Sequence, residues 1–169
     1  MQKLYLDCDG VILDTIKRSY KMLKESGITG EDEVTKFYSS IDWEKLIEES
    51  GEINDSLNKI KVLLNYFDIQ ILTHVNTNYE SRVKTEYFGK KLPGVNVISV
   101  PKMIEKADYV DAKGSILVDD YTPNLDYWKN MGGIPVKFSD SGRECPYPVI
   151  TDLLELIELC EKNKIKVKE

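Results

Sequence analysis

The sequence predicts an α/β fold: a parallel sheet with helices on both faces and a small helical cap inserted after the first strand. Three observations predict it. From residue 69 onward short apolar runs alternate with amphipathic stretches, the pattern of strand–helix–strand units whose crossovers make a sheet parallel. Residues 14–68 carry helical patterns alone, between the first strand and the next. Several apolar runs end in acidic or hydroxyl residues, and in open α/β sheets the carboxyl ends of the strands carry the site.

The first strand is read at residues 3–7, a short apolar run ending in Asp7. Asp14 then caps a helix to about Ser26, with Ile16, Tyr20 and Leu23 on one face and Gly27 as its stop. Residues 31–50 read as broken helix, with Asp42 a cap before Trp43, Leu46 and Ile47. Over residues 54–67, Leu57, Ile60, Leu63, Leu64 and Phe67 share a helical face. A strand over 69–73, ending at Thr73, a helix over 79–91, a strand over 95–100 and a brief helix over 103–110 follow. Residues 115–119 read as a strand ending in Asp119-Asp120. Thr122-Pro123, a cap with proline at the first helical position, opens a helix that Gly132-Gly133 stops. Ile134–Phe138 is a strand, and Thr151 caps a last helix to about Glu161 before a charged, frayed tail. The core is therefore expected at 1–13 and 69–169, and the cap at 14–68.

Composition excludes several classes. A chain of 169 residues, 41% hydrophobic and 31% charged, suits one compact domain and not a disordered one. No apolar run approaches ~18 residues, so no membrane span is expected. Carboxylates as early as Asp7 argue against a signal peptide. A net charge of -6 disfavours general nucleic-acid binding. Three widely spaced cysteines, with no zinc spacing among them, fit a reduced, cytoplasmic setting.

The chemistry gathers at the strand ends. Asp7 and Asp9 are two apart, so in extended backbone they point to one side. Two such carboxylates repel unless a proton or cation lies between them. Hard oxygen ligands with few protein donors suit Mg²⁺, which retains water and accepts a phosphate oxygen. Gly10 lets the chain turn sharply after the pair.

Asp7-Cys8-Asp9-Gly10-Val11, then Thr73 after Ile71-Leu72, then Ile116-Leu117-Val118-Asp119-Asp120, resembles the haloacid dehalogenase-like (HAD) phosphatase superfamily, whose core is Rossmann-like. Within it, residues 79–89 and the Leu-Val-Asp-Asp ending resemble the 5'(3')-deoxyribonucleotidases. The resemblance implies roles. Asp7 would be the nucleophile that forms an aspartyl-phosphate. Asp9 would protonate the leaving group, then deprotonate water. Its main-chain carbonyl, with Asp7 and Asp119, would bind Mg²⁺, and Asp120 would ligate through water or orient the site. Thr73 would hold a phosphate oxygen, helped by the helix start near Asn78. The resemblance also requires a lysine to offset the charge of Asp7 and the phosphate. Lys102, Lys106 and Lys113 compete. Lys113, before Gly114, faces the wrong end of the sheet, and Lys106 is favoured over Lys102.

Other residues have plainer readings. A strand-ending Asp is often a turn or cap residue; the three together argue for a site. His74, the single histidine, is near the site as a substrate contact or is a packing residue. Cys8 should face opposite to the aspartates as a buried thiol. Phe37, Tyr38 and Trp43 line a base pocket or pack the insertion's own core; with Tyr20 they are the candidates for stacking on a base, and Trp43 offers the largest face. Arg82 reaches the phosphate or forms a salt bridge on its helix. The reading is a Mg²⁺-dependent phosphomonoesterase acting on a small phosphorylated substrate, a nucleoside monophosphate first. The alternatives are a sugar phosphate or other small metabolite, or a catalytically silent binding module on the same fold.

Overall fold

The structure, a computed structural model, describes residues 1–139 and 145–165. In chain order the elements are β1 (Gln2–Leu6), α1 (Thr15–Ser26), α2 (Glu31–Ser39), α3 (Trp43–Ser50), α4 (Ser56–Leu63), β2 (Phe67–Val75), α5 (Asn78–Lys91), β3 (Asn96–Pro101), α6 (Lys106–Tyr109), β4 (Ile116–Asp119), α7 (Thr122–Asn130), β5 (Ile134–Phe138), β6 (Val149–Ile150) and α8 (Glu155–Lys162). Among the described residues, six strands form one parallel sheet in the order β3-β2-β1-β4-β5-β6. No helix among them is long and apolar enough to cross a membrane.

The alternation of side chains along each strand divides the core in two. Leu4 and Leu6 of β1 face one layer with Ile71, Ile116 and Val118, whereas Tyr5 faces the other with Leu72 and Leu117. Because the second half of β1 is covered on both faces, Leu4-Tyr5-Leu6 reads as a continuous apolar run. Leu4 and Leu6 are fully buried, each burial contributing about 1.5–3 kcal/mol. In the second layer Trp128 lies edge-on to Tyr5 at 5.3 Å and donates its indole N–H to Ser115 O at 3.1 Å. A Cβ on Gly133 would stand 2.2 Å from that indole, so only glycine fits there. Helices α1–α4 follow β1, and their Trp43, Leu46, Ile47 and Ile60 join the same core as Leu4 and Leu6. They share the sheet's core rather than building a separate one.

Several boundaries depart from expectation for local reasons. Helix α4 ends at Leu63, and Phe67 is instead the first residue of β2, paired with Gln2. Strand β2 does not end at Thr73 but continues to Val75, because His74 and Val75 pair with Val100 and Pro101. Asp14 precedes α1 without a side-chain cap, while Gly27 closes the helix in the left-handed region as expected. The face of α1 that carries Ile16 and Tyr20 is exposed; the helix buries Thr15 and Ser19 instead. Thr122 is inside α7, and Tyr121 is its cap position. Residues 149–150 form an edge strand the pattern was too short to signal. Helix α8 starts only at Glu155, since Thr151 spends its N–H and hydroxyl on the Glu155 carboxylate. The tail residues 166–169 lie outside the described residues.

Candidate active site

Asp7 is the residue after β1, and its N–H donates to Val118 O at 2.9 Å, so the sheet's pairing fixes its backbone beside β4. Between Asp7 and β4's last residue, Asp119, stands Lys106, the first residue of the short helix α6. Its buried ammonium lies 2.7 Å from Asp7 Oδ1 and 2.7 Å from Asp119 Oδ2. Asn124 Nδ2 donates to Asp119 Oδ2 at 2.9 Å, and Tyr121 N–H to Asp119 Oδ1 at 2.8 Å. Asp119 is therefore held from three sides.

Asp7, Asp119 and Asp120 each offer a carboxylate oxygen within 4.8 Å of the others. Burial pushes the Asp7 carboxyl up to about 8; Lys106 opposes this, and Asp119 and Asp120 add to it. Burial and then Asp119 push Asp120 up to about 6. Both acids are raised first by burial and further by the carboxylates beside them. The donor set is all oxygen, compact and short of positive charge, and so fits Mg²⁺. Gly10 is required beside it. Its φ is +82°, and a Cβ would stand 2.3 Å from Asp120 Oδ2.

Asp9 belongs to a second cluster. Its Oδ1 accepts from the Thr15 hydroxyl at 2.6 Å, and its Oδ2 accepts from Lys84 Nζ at 2.5 Å. Lys84, from α5, also reaches Thr73 Oγ1 at 3.1 Å and Glu80 Oε1 at 2.7 Å. Burial alone would raise the Asp9 pKa, but Lys84 and the Thr15 hydroxyl outweigh it and hold the carboxyl below its usual range. Thr73 is fully buried, its hydroxyl engaged by Asp9 and Lys84.

Both clusters open onto one cleft of about 640 Å³. Asp7, Asp9 and Asp120 form its floor side, and Ile16, Tyr20, Val34, Tyr38 and Trp43 its apolar wall from α1–α3. Lys102, exposed, and His74 also line it. His74 Nε2 lies 2.9 Å from Ile104 O, and burial lowers the ring's pKa. Trp43 is only 6% exposed, and Lys84 Nζ lies 4.5 Å from its ring centroid, so much of the indole packs the core instead of facing the cleft. Phe37 also packs there, edge-on to Tyr38.

The lysine candidates separate cleanly. Lys113 lines a depression with Met1 and Gln2, at the opposite end of the sheet, where β1 and β4 begin. Lys102 borders the cleft, and Lys106 touches the carboxylates. Arg82 pairs with Glu86 at 3.6 Å and covers the Tyr79 ring. Cys8 is buried in the core, where burial and the charge of Asp9 raise its pKa. Thr15, Glu80, Lys84 and Asn124 were not anticipated. For two of them a signal existed: Glu80 and Lys84 share the helical stripe that ends in Phe88, charged residues at i, i+4 and a core residue at i+8.

No protein-family model matches the chain, and no curated protein sequence does. Solved structures do. The magnesium-bound HAD-hydrolase YfnB from Bacillus subtilis matches with a TM-score of 0.67 at 15% identity, covering 94% of this chain and 97% of its own. A HAD phosphatase from Thermococcus onnurineus matches at 0.59 and 18% identity, over 94% and 97% of the two chains. D,D-heptose 1,7-bisphosphate phosphatase from Burkholderia thailandensis matches at 0.57 and 15% identity, over 94% and 99%. This chain therefore has the fold of the HAD-superfamily hydrolases.

Proposed function

We propose that the protein is a Mg²⁺-dependent phosphomonoesterase acting through an aspartyl-phosphate. The observation that carries this reading is Lys106 set between Asp7 and Asp119 at 2.7 Å from each, with Asp120 beside them. Asp7 attacks phosphorus, the bond to the leaving oxygen breaks, and Asp9 supplies that oxygen's proton. Water then attacks the phosphorus of the Asp7 ester, Asp9 takes its proton, and Asp7 is restored. Lys106 favours the ionised form of Asp7 against the burial that opposes it, and offsets the charge that gathers on the phosphoryl oxygens. Asp7, Asp119 and the Asp9 carbonyl would hold Mg²⁺, with Asp120 behind them; the ion supplies further charge stabilisation at the phosphoryl group.

The cleft bears on the substrate. Its exposed lysine is Lys102, among several carboxylates, which suits one phosphate on an otherwise uncharged molecule. Helices α1–α3, acting as the cap, add Ile16, Tyr20 and Tyr38 against the remainder of the substrate. A nucleoside monophosphate meets both conditions. Tyr20 rather than Trp43 is then the stacking residue, since it is 65% exposed.

The test is hydrolysis of an aryl phosphate with and without Mg²⁺, followed by nucleoside monophosphates, sugar monophosphates and sugar bisphosphates. Mg²⁺-dependent turnover that Asp7→Asn abolishes, with the variant still folded, is the expected result. Deoxynucleoside monophosphates should give the highest kcat/KM. An active Asp7→Asn enzyme contradicts the mechanism, sugar phosphates as best substrates contradict the nucleotide assignment, and no turnover at all leaves the silent binding module.

A further inference from the structure

We propose that Lys84, balanced by Glu80, is a positioning residue that pins Asp9 Oδ2 and so makes Oδ1 the oxygen that exchanges protons with the substrate. The inference rests on the phosphomonoesterase reading, in which Asp9 is acid and base.

Burying an ammonium is costly unless it is paired. Lys84 has a fully buried side chain, and Glu80 from its own helix lies 2.7 Å away. Glu80 alone would balance it. Yet the same ammonium lies 2.5 Å from Asp9 Oδ2, 3.1 Å from Thr73 Oγ1 and 3.3 Å from His74 O. An ammonium has three donors, so Lys84 spends its bonding capacity on Asp9, which lines the cleft, and on Thr73 buried behind it as well as on Glu80. The Glu80 carboxylate is itself fixed: its Oε2 accepts from Asn76 N–H at 2.8 Å, just before α5. The chain of contacts runs from the end of β2, through Glu80 and Lys84, to Asp9.

Lys84 cannot touch the reacting atoms, because its side chain is 0% exposed while that of Asp9 is 15% exposed. It acts through Asp9. With Oδ2 committed to a fixed cation, the other oxygen faces Thr15, whose hydroxyl both donates and accepts. Oδ1 is thus the oxygen able to hold a proton while Oδ2 keeps its hydrogen bond from Lys84. In the first half-reaction that proton leaves Oδ1 for the leaving oxygen as the oxygen–phosphorus bond breaks. In the second, Oδ1 takes a proton from the water that attacks phosphorus, and the cycle closes with the proton replaced. Misplacing a reacting group by about 1 Å costs on the order of 10²-fold in rate, so loosening Oδ2 should be felt in turnover.

The test compares Lys84→Met with the double variant Lys84→Met/Glu80→Gln. The single change strands Glu80 and should lower Tm; the double removes both charges and should recover most of that loss. Expected for the double variant is a fall of about 10²-fold in kcat on alkyl phosphates, a KM close to that of the unaltered enzyme, and a much smaller fall on aryl phosphates, whose leaving group needs little protonation. A double variant with recovered Tm and unchanged alkyl phosphate turnover overturns the proposal, as does an equal loss on both substrate types. If the unaltered enzyme hydrolyses neither, the phosphomonoesterase reading fails and takes this one with it; an active enzyme with an insensitive double variant overturns the positioning role alone.

Discussion

At the scale of single residues, the two buried lysines divide the work. Lys106 sits between Asp7 and Asp119, whereas Lys84 sits behind Asp9, the acid/base of the proposed mechanism. Asp7, Asp9 and Asp119 were legible in the sequence because each follows an apolar run that could only be a strand. Lys106 was legible as one of three candidates, and the geometry separates it from Lys102 by contact. Lys84 had only the weak signal of its stripe with Glu80 and Phe88, since a lysine in a charged helix reads as solvated until the fold shows which face is inward. Burial would lower the Lys106 pKa, but Asp119 and Asp7 overcome that and raise it, so the ammonium stays charged throughout the working range. Replacing it with Met leaves Asp7 and Asp119 buried without their cation, a loss of about 3–5 kcal/mol for a broken buried pair. Lys106→Met should therefore lower Tm strongly without Mg²⁺, less with it, and lose at least about 10²-fold in kcat. Lys102→Ala should leave Tm unchanged and alter mainly KM. Steady-state kinetics and thermal melts of both variants check this; a Lys102→Ala enzyme with the larger kcat loss would reverse the assignment.

At the scale of elements, α1 shows how an apolar stripe can mislead. Ile16, Tyr20 and Leu23 recur at helical spacing, which ordinarily marks a buried face. Here α1 turns small polar residues, Thr15 and Ser19, inward, and leaves Ile16 and Tyr20 at 49% and 65% exposure on the cleft wall. The stripe is apolar because it faces a ligand-sized cleft instead of a packed core. Periodicity reports that a face is apolar; it does not report what covers it. Trp43 shows the reverse: the aromatic ring read as a stacking surface is mostly packed, with Lys84 against it. Stacking a base on an aromatic ring is worth about 1–3 kcal/mol. Tyr20→Ala should therefore reduce kcat/KM for nucleoside monophosphates by roughly tenfold to a hundredfold, with aryl phosphate hydrolysis and Tm little changed. Equal losses on every substrate would mean that Tyr20 shapes the helix and not the specificity.

At the scale of the whole molecule, the site strains the fold that carries it. Asp7 is held up at about 8 and Asp120 at about 6, both far above an unfolded aspartate. Between about pH 4, the ordinary aspartate value, and those raised values, the folded chain binds protons that the unfolded chain has released. Their contribution is greatest at low pH and is lost as pH rises through 6 and then 8. Asp9, held below its usual range, acts oppositely: its contribution is present above the unfolded value and is lost only as pH falls through the lowered one. In metal-free protein the raised pair should thus lower stability from pH 5 to pH 8. Mg²⁺ competes with those same protons, so its binding strengthens across the same window. A ligand at 100 times its Kd stabilises by about 2.7 kcal/mol, and for a chain of this size each kcal/mol moves Tm by roughly 2–4 °C. Saturating Mg²⁺ should therefore raise Tm by roughly 5–10 °C at pH 8 and by markedly less at pH 5. Asp7→Asn, which replaces an ionised buried carboxylate by a neutral amide, should raise the metal-free Tm at pH 8 while shrinking the Mg²⁺ increment. Melts of both proteins at the two pH values, with Mg²⁺ and with a chelator, decide it. An increment equal at pH 5 and pH 8 would mean that the ion does not bind at the raised carboxylates.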